Sequence, residues 1–198
     1  MIAKTSDLAP YLAFHSKGVT LAITDAATSK ANVSTGDALL QLLKSEAKIN
    51  QAFGEVALMF TRIATAVTAG AAAIVTDTID IADWDAAGAV YFSGALATYT
   101  GITITGFTGL VSNPAVGVPA APVGAFVLPS VNDDATDYYQ RQEALLYRRL
   151  DLICKDAAYE LWKYRFPADD SPQPIREWRA EVERAVTAAK NGNAFVSL

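Results

Sequence analysis

Forty-seven consecutive residues, between Asp85 and Asp133, carry no charged side chain, and no Lys, Arg or His occurs between Arg62 and Arg141. Cysteine is almost absent too: one residue, Cys154, excludes an intramolecular disulfide framework. The opening Met1-Ile-Ala-Lys4-Thr-Ser-Asp7 contains no apolar h-region, so a reducing cytoplasm is the expected place of synthesis. Long apolar runs are missing as well. Gly88, Gly94, Gly101, Gly106, Gly109, Pro114, Pro119 and Pro122 interrupt the uncharged stretch before 20 apolar residues accumulate, which argues against a membrane span. No segment is strongly basic, and this argues against tight binding by phosphate neutralisation.

What is present divides into zones. Residues 1–62 carry six Lys/Arg against five Asp/Glu, residues 63–140 none against seven, and residues 141–198 ten against nine. The net charge of -5 therefore arises in the middle zone, which is rich in Val, Ile, Thr, Gly, Tyr and Phe, residues suited to strands and tight turns. The flanks read as charged amphipathic helix. With 52% apolar residues and a mean hydropathy of +0.20, material for burial is ample. The expected fold class is α+β, an antiparallel bundle of long helices interrupted by a small antiparallel β-sheet or β-barrel. The expected organisation is bundle helices in 1–64, the β-rich insertion in 65–132, long helices in 133–192 and an extended tail in 193–198.

Along the chain, Thr5-Ser6-Asp7 offers N-caps for a short helix through Leu8, Tyr11 and Leu12, with Pro10 in its first turn. A connector, Gly18 to Asp25, follows. Ser34, Thr35 or Asp37 caps a longer helix with Leu39, Leu43, Ala47, Asn50 and Phe53 on one stripe, expected to continue to about Phe60 despite Gly54. In the insertion, Ile74–Ile81 has strand composition, and Ala89–Phe92, Ser93-Gly94 and Ala95–Tyr99 read as strand, two-residue turn, strand. Gly101–Gly109 repeats the glycine-punctuated pattern, a Pro-rich loop fills Asn113–Pro122, and Ala125–Leu128 closes the set before Pro129, giving four or five strands. Helical periodicity resumes at Thr136. Leu146, Leu150, Ile153, Ala157 and Leu161 mark a helix of roughly 30 residues ending near Phe166-Pro167. Ser171 and Pro174 open the next helix, Ile175, Trp178, Val182, Ala185 and Ala189 recur along it, and Asn191-Gly192 stops it.

Candidate chemistry is sparse. The acidic run Asp77, Asp80, Asp83 and Asp85 lacks the Gly and terminal Glu of an EF-hand loop and reads as a solvated strand edge and turn. His15, near Ser16 and Asp25, has no nucleophile elbow or oxyanion loop to work with, and Cys154 lies on an apolar stripe with no base beside it. Gly101–Gly109 lacks the Lys of a phosphate cradle. Tyr159, Trp162 and Trp178 read as core, and Arg141, Arg148 and Arg149 as a solvated face with local ion pairs. Catalytic, cofactor and metal residues are expected to be none.

The chain resembles the head-tail connector (adaptor, or head-completion) proteins of tailed bacteriophages. The resemblance rests on Asp7-Leu8, Ile23-Thr24-Asp25 before a capped helix, Ala47-Lys-Ile49-Asn50, and Leu152-Ile-Cys154-Lys-Asp156-Ala-Ala-Tyr159-Glu-Leu-Trp. It continues through Arg176-Glu-Trp-Arg179, Asn191-Gly192 and Val196-Ser-Leu198, covers about two thirds of the chain and is strongest after Arg141. The uncharged zone is similar to small β modules of phage virion proteins through Gly88-Ala-Val-Tyr-Phe and Leu96-Ala-Thr-Tyr-Thr-Gly101-Ile-Thr. The resemblance implies a non-enzymatic virion protein at the head-tail junction, made in the host cytoplasm. It would form a homo-oligomeric ring of twelve copies between the portal and the next neck or tail protein, with duplex DNA passing through unbound. It further implies that the closing residues Asn193, Ala194, Phe195, Val196, Ser197 and Leu198 dock on the portal. The alternative from another class is an accessory binding module whose β insertion recognises a host glycan or a decoration partner.

Overall fold

The computed structural model of the 198-residue chain describes residues 2–13, 21–25, 31–54, 59–112, 117–130, 136–167 and 172–192. The chain is a mixed α+β protein forming two compact units, Met1–Val56 with Tyr147–Leu198, and Ala57–Leu146. One is helical and the other is built mainly from antiparallel strands.

In the helical unit, α1 spans Thr5–Leu12. It starts one residue earlier than its polar cluster suggests. Lys4 is the cap, its backbone N–H donating to Asp7 Oδ2 at 2.7 Å while the Asp7 N–H donates to the Lys4 carbonyl at 3.0 Å. Pro10 consequently sits in the second turn, not the first. The expected connector instead contains β1, Ala22–Thr24, paired in parallel with β2, Asn32–Ser34.

Ser34 then caps α2, Thr35–Phe53, its Oγ accepting from the Asp37 N–H at 3.0 Å. The helix stops at Phe53 rather than near Phe60, because Gly54 leaves the helical region with φ +81°, a conformation open to glycine and costly for other residues. The buried face is also not the expected one. Ala38, Leu42, Ser45 and Ile49 face inward, whereas Leu39, Leu43 and Ala47 are exposed. This helix is apolar on two sides, and periodicity alone does not say which side is inner.

In the β unit, β3 is Thr61–Arg62, β4 Ala73–Val75, β5 Gly88–Phe92, β6 Ala95–Tyr99, β7 Gly101–Thr103, β8 Gly106–Thr108, β9 Val111–Ser112 and β10 Phe126–Ser130. A single 3-10 turn, Ile81–Asp83, follows β4. Among the described residues the eight strands exceed the expected four or five, since Gly101–Gly109 divides into β7 and β8 and the short β3 and β9 are added; Ile74–Ile81 keeps only the end of β4 before its turn, and β10 runs on through Pro129. They form antiparallel sheets in the orders β3-β10-β5-β6-β9 and β4-β8-β7, stitched together by an Ile63↔Thr76 bridge. The Ser93-Gly94 turn is as expected. Its φ values of +46° and +85° are the left-handed pair that a two-residue hairpin needs to match strand twist.

Alternate residues of these strands enter one apolar core. Val90, Phe92, Ala97, Tyr99, Phe107 and Val127 point into it, and the Phe107 ring lies 4.9 Å from Trp84 and 4.8 Å from Tyr99, centroid to centroid. The opposite face of β5 and β10 is covered as well. Tyr91, Phe126 and Leu128 are fully buried there, and Tyr91 stacks on Tyr139 of α3 (Thr136–Arg165) at 5.7 Å. Burial on both faces explains why these strands read as continuous apolar runs rather than alternating ones.

The expected 30-residue helix α3 belongs to the β unit as far as Leu146 and to the helical unit from Tyr147, and α4 of the helical unit spans Gln173–Lys190, with Pro174 in its first turn, Asn191 at its C-cap and Gly192 at φ +74°. Tyr11 of α1 meets Trp178 of α4 edge to face at 5.5 Å.

Phe107→Ala is expected to destabilise the protein by about 3–5 kcal/mol, because a fully buried ring between two other rings leaves a cavity that short strands cannot close. Equilibrium denaturant unfolding measures this directly.

Candidate functional site

From Arg149 to Trp162 every residue of α3 is buried or half-buried. Asp156 lies in this stretch at 2% exposure, and a charge so placed demands partners. It has three. Ser45 of α2 donates to Oδ2 at 2.9 Å, Lys48 of α2 donates to Oδ1, and Arg179 Nη1 of α4 donates to Oδ1 at 3.2 Å. Arg179 extends the network to Glu160 at 3.2 Å and to Glu183, and its guanidinium lies 4.9 Å from the Tyr159 ring centre. Burial works against the guanidinium charge, but Glu183, Asp156 and Glu160 outweigh it and raise the pKa.

A second cluster lies one turn away. Lys155 bridges Asp151 at 2.8 Å and Glu181 at 2.7 Å, and the Tyr11 hydroxyl donates to Asp151 Oδ1 at 2.7 Å. Burial and then the Asp151 carboxylate push the Tyr11 pKa well above the ordinary phenol value. Lys155 is raised because its two carboxylates outweigh the burial that opposes them. Together the clusters tie all four helices by charge-assisted hydrogen bonds. Their shared effect is to fix the register of the helices against one another.

Arg149 has a different job from the one its sequence position suggests. Its guanidinium donates to the carbonyls of Gly54 (2.7 Å) and Phe53 (3.1 Å) and to Asn50 Oδ1 (3.2 Å), capping the exposed carbonyl end of α2. Arg148 is exposed, as a solvated face predicts. Cys154 and Trp162 are core, and Trp178 and Tyr159 are half-buried against Tyr11 and Arg179. His15 and the segment Asn193–Leu198 lie outside the described residues.

In the β unit, Asp80, Asp83 and Asp85 are exposed and Asp77 half-buried. Asp80 Oδ1 accepts from the Ala82 N–H at 3.1 Å, the ordinary use of an aspartate at a turn. Among the described residues no three His, Cys, Asp or Glu side chains converge as a metal site, and no helix is long and apolar enough to cross a membrane. Arg62 is 4% exposed, donating through Nε to the Gly124 carbonyl at 2.9 Å and lying 5.3 Å from the Phe126 ring centre.

Sequence reasoning missed one pair in this unit. The Tyr91 hydroxyl is buried without a partner in hydrogen-bonding geometry, although the Glu143 carboxylate of α3 is close enough to act on it. Burial, then that carboxylate, pushes the Tyr91 pKa up to about 12. Glu143 itself is raised by burial, an effect reduced by the Ser93 N–H that it accepts at the hairpin turn. Glu143 thus holds the β5-β6 turn onto α3.

No family model, no curated protein and no solved structure matches this chain.

Asp156→Ala is expected to cost about 3 kcal/mol, since Lys48 and Arg179 lose their shared acceptor and Ser45 is left buried beside a void. A shift in the thermal midpoint with unchanged helical circular dichroism checks it. Glu143 gives a pH signature of opposite sign to an ordinary paired carboxylate. Its folded pKa is raised above 4.5, so the folded state binds the proton more tightly. Its favourable contribution is complete below about 4.5 and is lost as pH rises through the raised value. Glu143→Gln should remove that fall in stability, read from denaturant midpoints across the same pH range.

Proposed function

We propose that the protein is a head-tail adaptor of a tailed bacteriophage, a structural virion component rather than an enzyme. In this reading the helical unit is an antiparallel bundle that carries the β unit as an insertion. Twelve copies form a ring joining the portal to a neck or tail-completion protein, and the closing residues Asn193–Leu198 dock on the portal. The support from sequence is the run of resembling residues through both outer segments, densest in Leu152–Trp162.

The observation that carries the reading further is the charge of the β unit. Between residues 63 and 140 the sequence offers carboxylates and no cation; Asp80, Asp83, Asp85 and Asp137 are exposed, Arg62 just before the stretch is buried, and Arg141 just after it is exposed. A duplex presents one negative charge per about 1.7 Å of axis, so a surface of this kind would let DNA slide past where a basic wall would hold it by counterion release. Glu143 and Asp151 of α3 are half-buried and engaged with Ser93 and with Tyr11 and Lys155, so exposed aspartates of the β unit are the better wall. The second reading, a module for host glycan or a decoration partner, draws on Ile104, Val111 and Val123, which the β unit leaves about 60% exposed.

Truncation after Gly192 tests the docking role. The expected result is an unchanged melting temperature for the free protein, with loss of attachment to portal-bearing heads in a pull-down or by electron microscopy. Attachment retained by a destabilised protein would place the segment in the fold instead.

A further inference from the structure

The exposed side of α2 is built like one half of a two-helix seam. Gly36, Leu40, Leu43 and Ala47 recur at spacings of four, three and four, the period at which apolar side chains meet a partner helix. All four are exposed, Leu40 at 52% and Leu43 at 47%, with Leu39 beside them at 39%. The residues that pack α2 into its own unit, Ala38, Leu42, Ser45 and Ile49, are on the opposite side. A leucine-centred strip of this length is more than the scattered apolar exposure usual on a protein surface.

We infer that this strip is a self-association surface on which a second copy of the chain lays its own α2 in antiparallel orientation. The strip is complementary to itself in size and charge. Turned end for end about a point between Gln41 and Leu42, Leu40 meets Leu43 of the second copy and Gly36 meets its Ala47, so large faces large and small faces small. The flank carries the matching charges. Asp37 and Lys44 lie seven residues apart on one edge, the same position of successive heptads, and the antiparallel register sets each Asp37 against Lys44 of the other copy. Both are available, since Lys44 is exposed and Asp37, with Arg165 of its own chain at 3.6 Å, keeps 47% of its side chain exposed.

The contact obeys two-fold symmetry and closes on itself. It is therefore distinct from the head-to-tail contacts of a ring, and it goes beyond the adaptor reading without depending on it. About three turns of helix bury well under the roughly 800 Å² per partner of a standard stable interface, so the dimer should be dissociable and governed by concentration.

Sedimentation velocity of the full chain over a wide concentration range tests this. The wild type is expected to pass from monomer to dimer. Leu40→Glu, at an exposed position, should remain monomeric with an unaltered melting temperature. Lys44→Asp should weaken the dimer by about tenfold, and the double variant Asp37→Lys/Lys44→Asp should restore it to within about twofold. Should Leu40→Glu fail to fold, loss and rescue in the charge series decide the matter. A wild type that stays monomeric, a dimer untouched by Leu40→Glu, or a charge swap without rescue overturns the inference. A higher oligomer insensitive to all these substitutions also overturns it, while leaving the ring reading standing.

Discussion

A carboxylate sealed inside a helix that is covered on every side constrains the whole helical unit. Asp156 is charged, nearly inaccessible and carried by the most enclosed stretch of the chain. Its position is tolerable only while α2 delivers Ser45 and Lys48 and α4 delivers Arg179. Each of these is fixed in turn by its register on its own helix. A slide of α2 by one residue would rotate Ser45 and Lys48 away and present a different pair of side chains to the buried charge. The polar contacts are therefore all satisfied in this one register of α2 against α3. Arg149 applies a similar constraint further back along α3, because its three acceptors all belong to the end of α2.

The β unit solves the opposite problem. It has almost no internal charge to place, and its order comes from backbone pairing and aromatic packing. Sheets with one wet face alternate polar and apolar residues, whereas β5 and β10 have a core on one face and α3 on the other. Backbone proximity is tightest at Gly106, where an added Cβ would lie 2.1 Å from the Ile74 carbonyl oxygen, so the β4-β8 pairing requires glycine there.

Much of the architecture was legible in the chain. The two-residue hairpin at Ser93-Gly94, the length of α3 and both ends of α4 follow from local signals, namely a turn pair, a long periodic stretch, and Pro and Gly at helix ends. Local signals failed where tertiary context decides. The strip Leu39, Leu43, Ala47 has the same period as the strip that is buried, so pattern alone could not choose between them. The parallel pairing of β1 with β2 joins three-residue segments too short to announce themselves as strands. Arg149 looked like a member of a solvated face because its acceptors come from residues 95 to 99 positions away. Of the candidate site, the acidic run and Cys154 could be placed in advance by composition and stripe, but the Tyr91–Glu143 pair could not, since nothing in either segment names the other.

Cys154 gives the helical unit a private clock. Its thiol is completely enclosed, with Ile153, Ala157 and Ala158 equally inaccessible around it in sequence, and the β unit contains no cysteine. A thiol reagent can therefore reach the protein only when the helices part, and the rate at which it does so reports the opening of that unit alone, with the strands silent in the measurement.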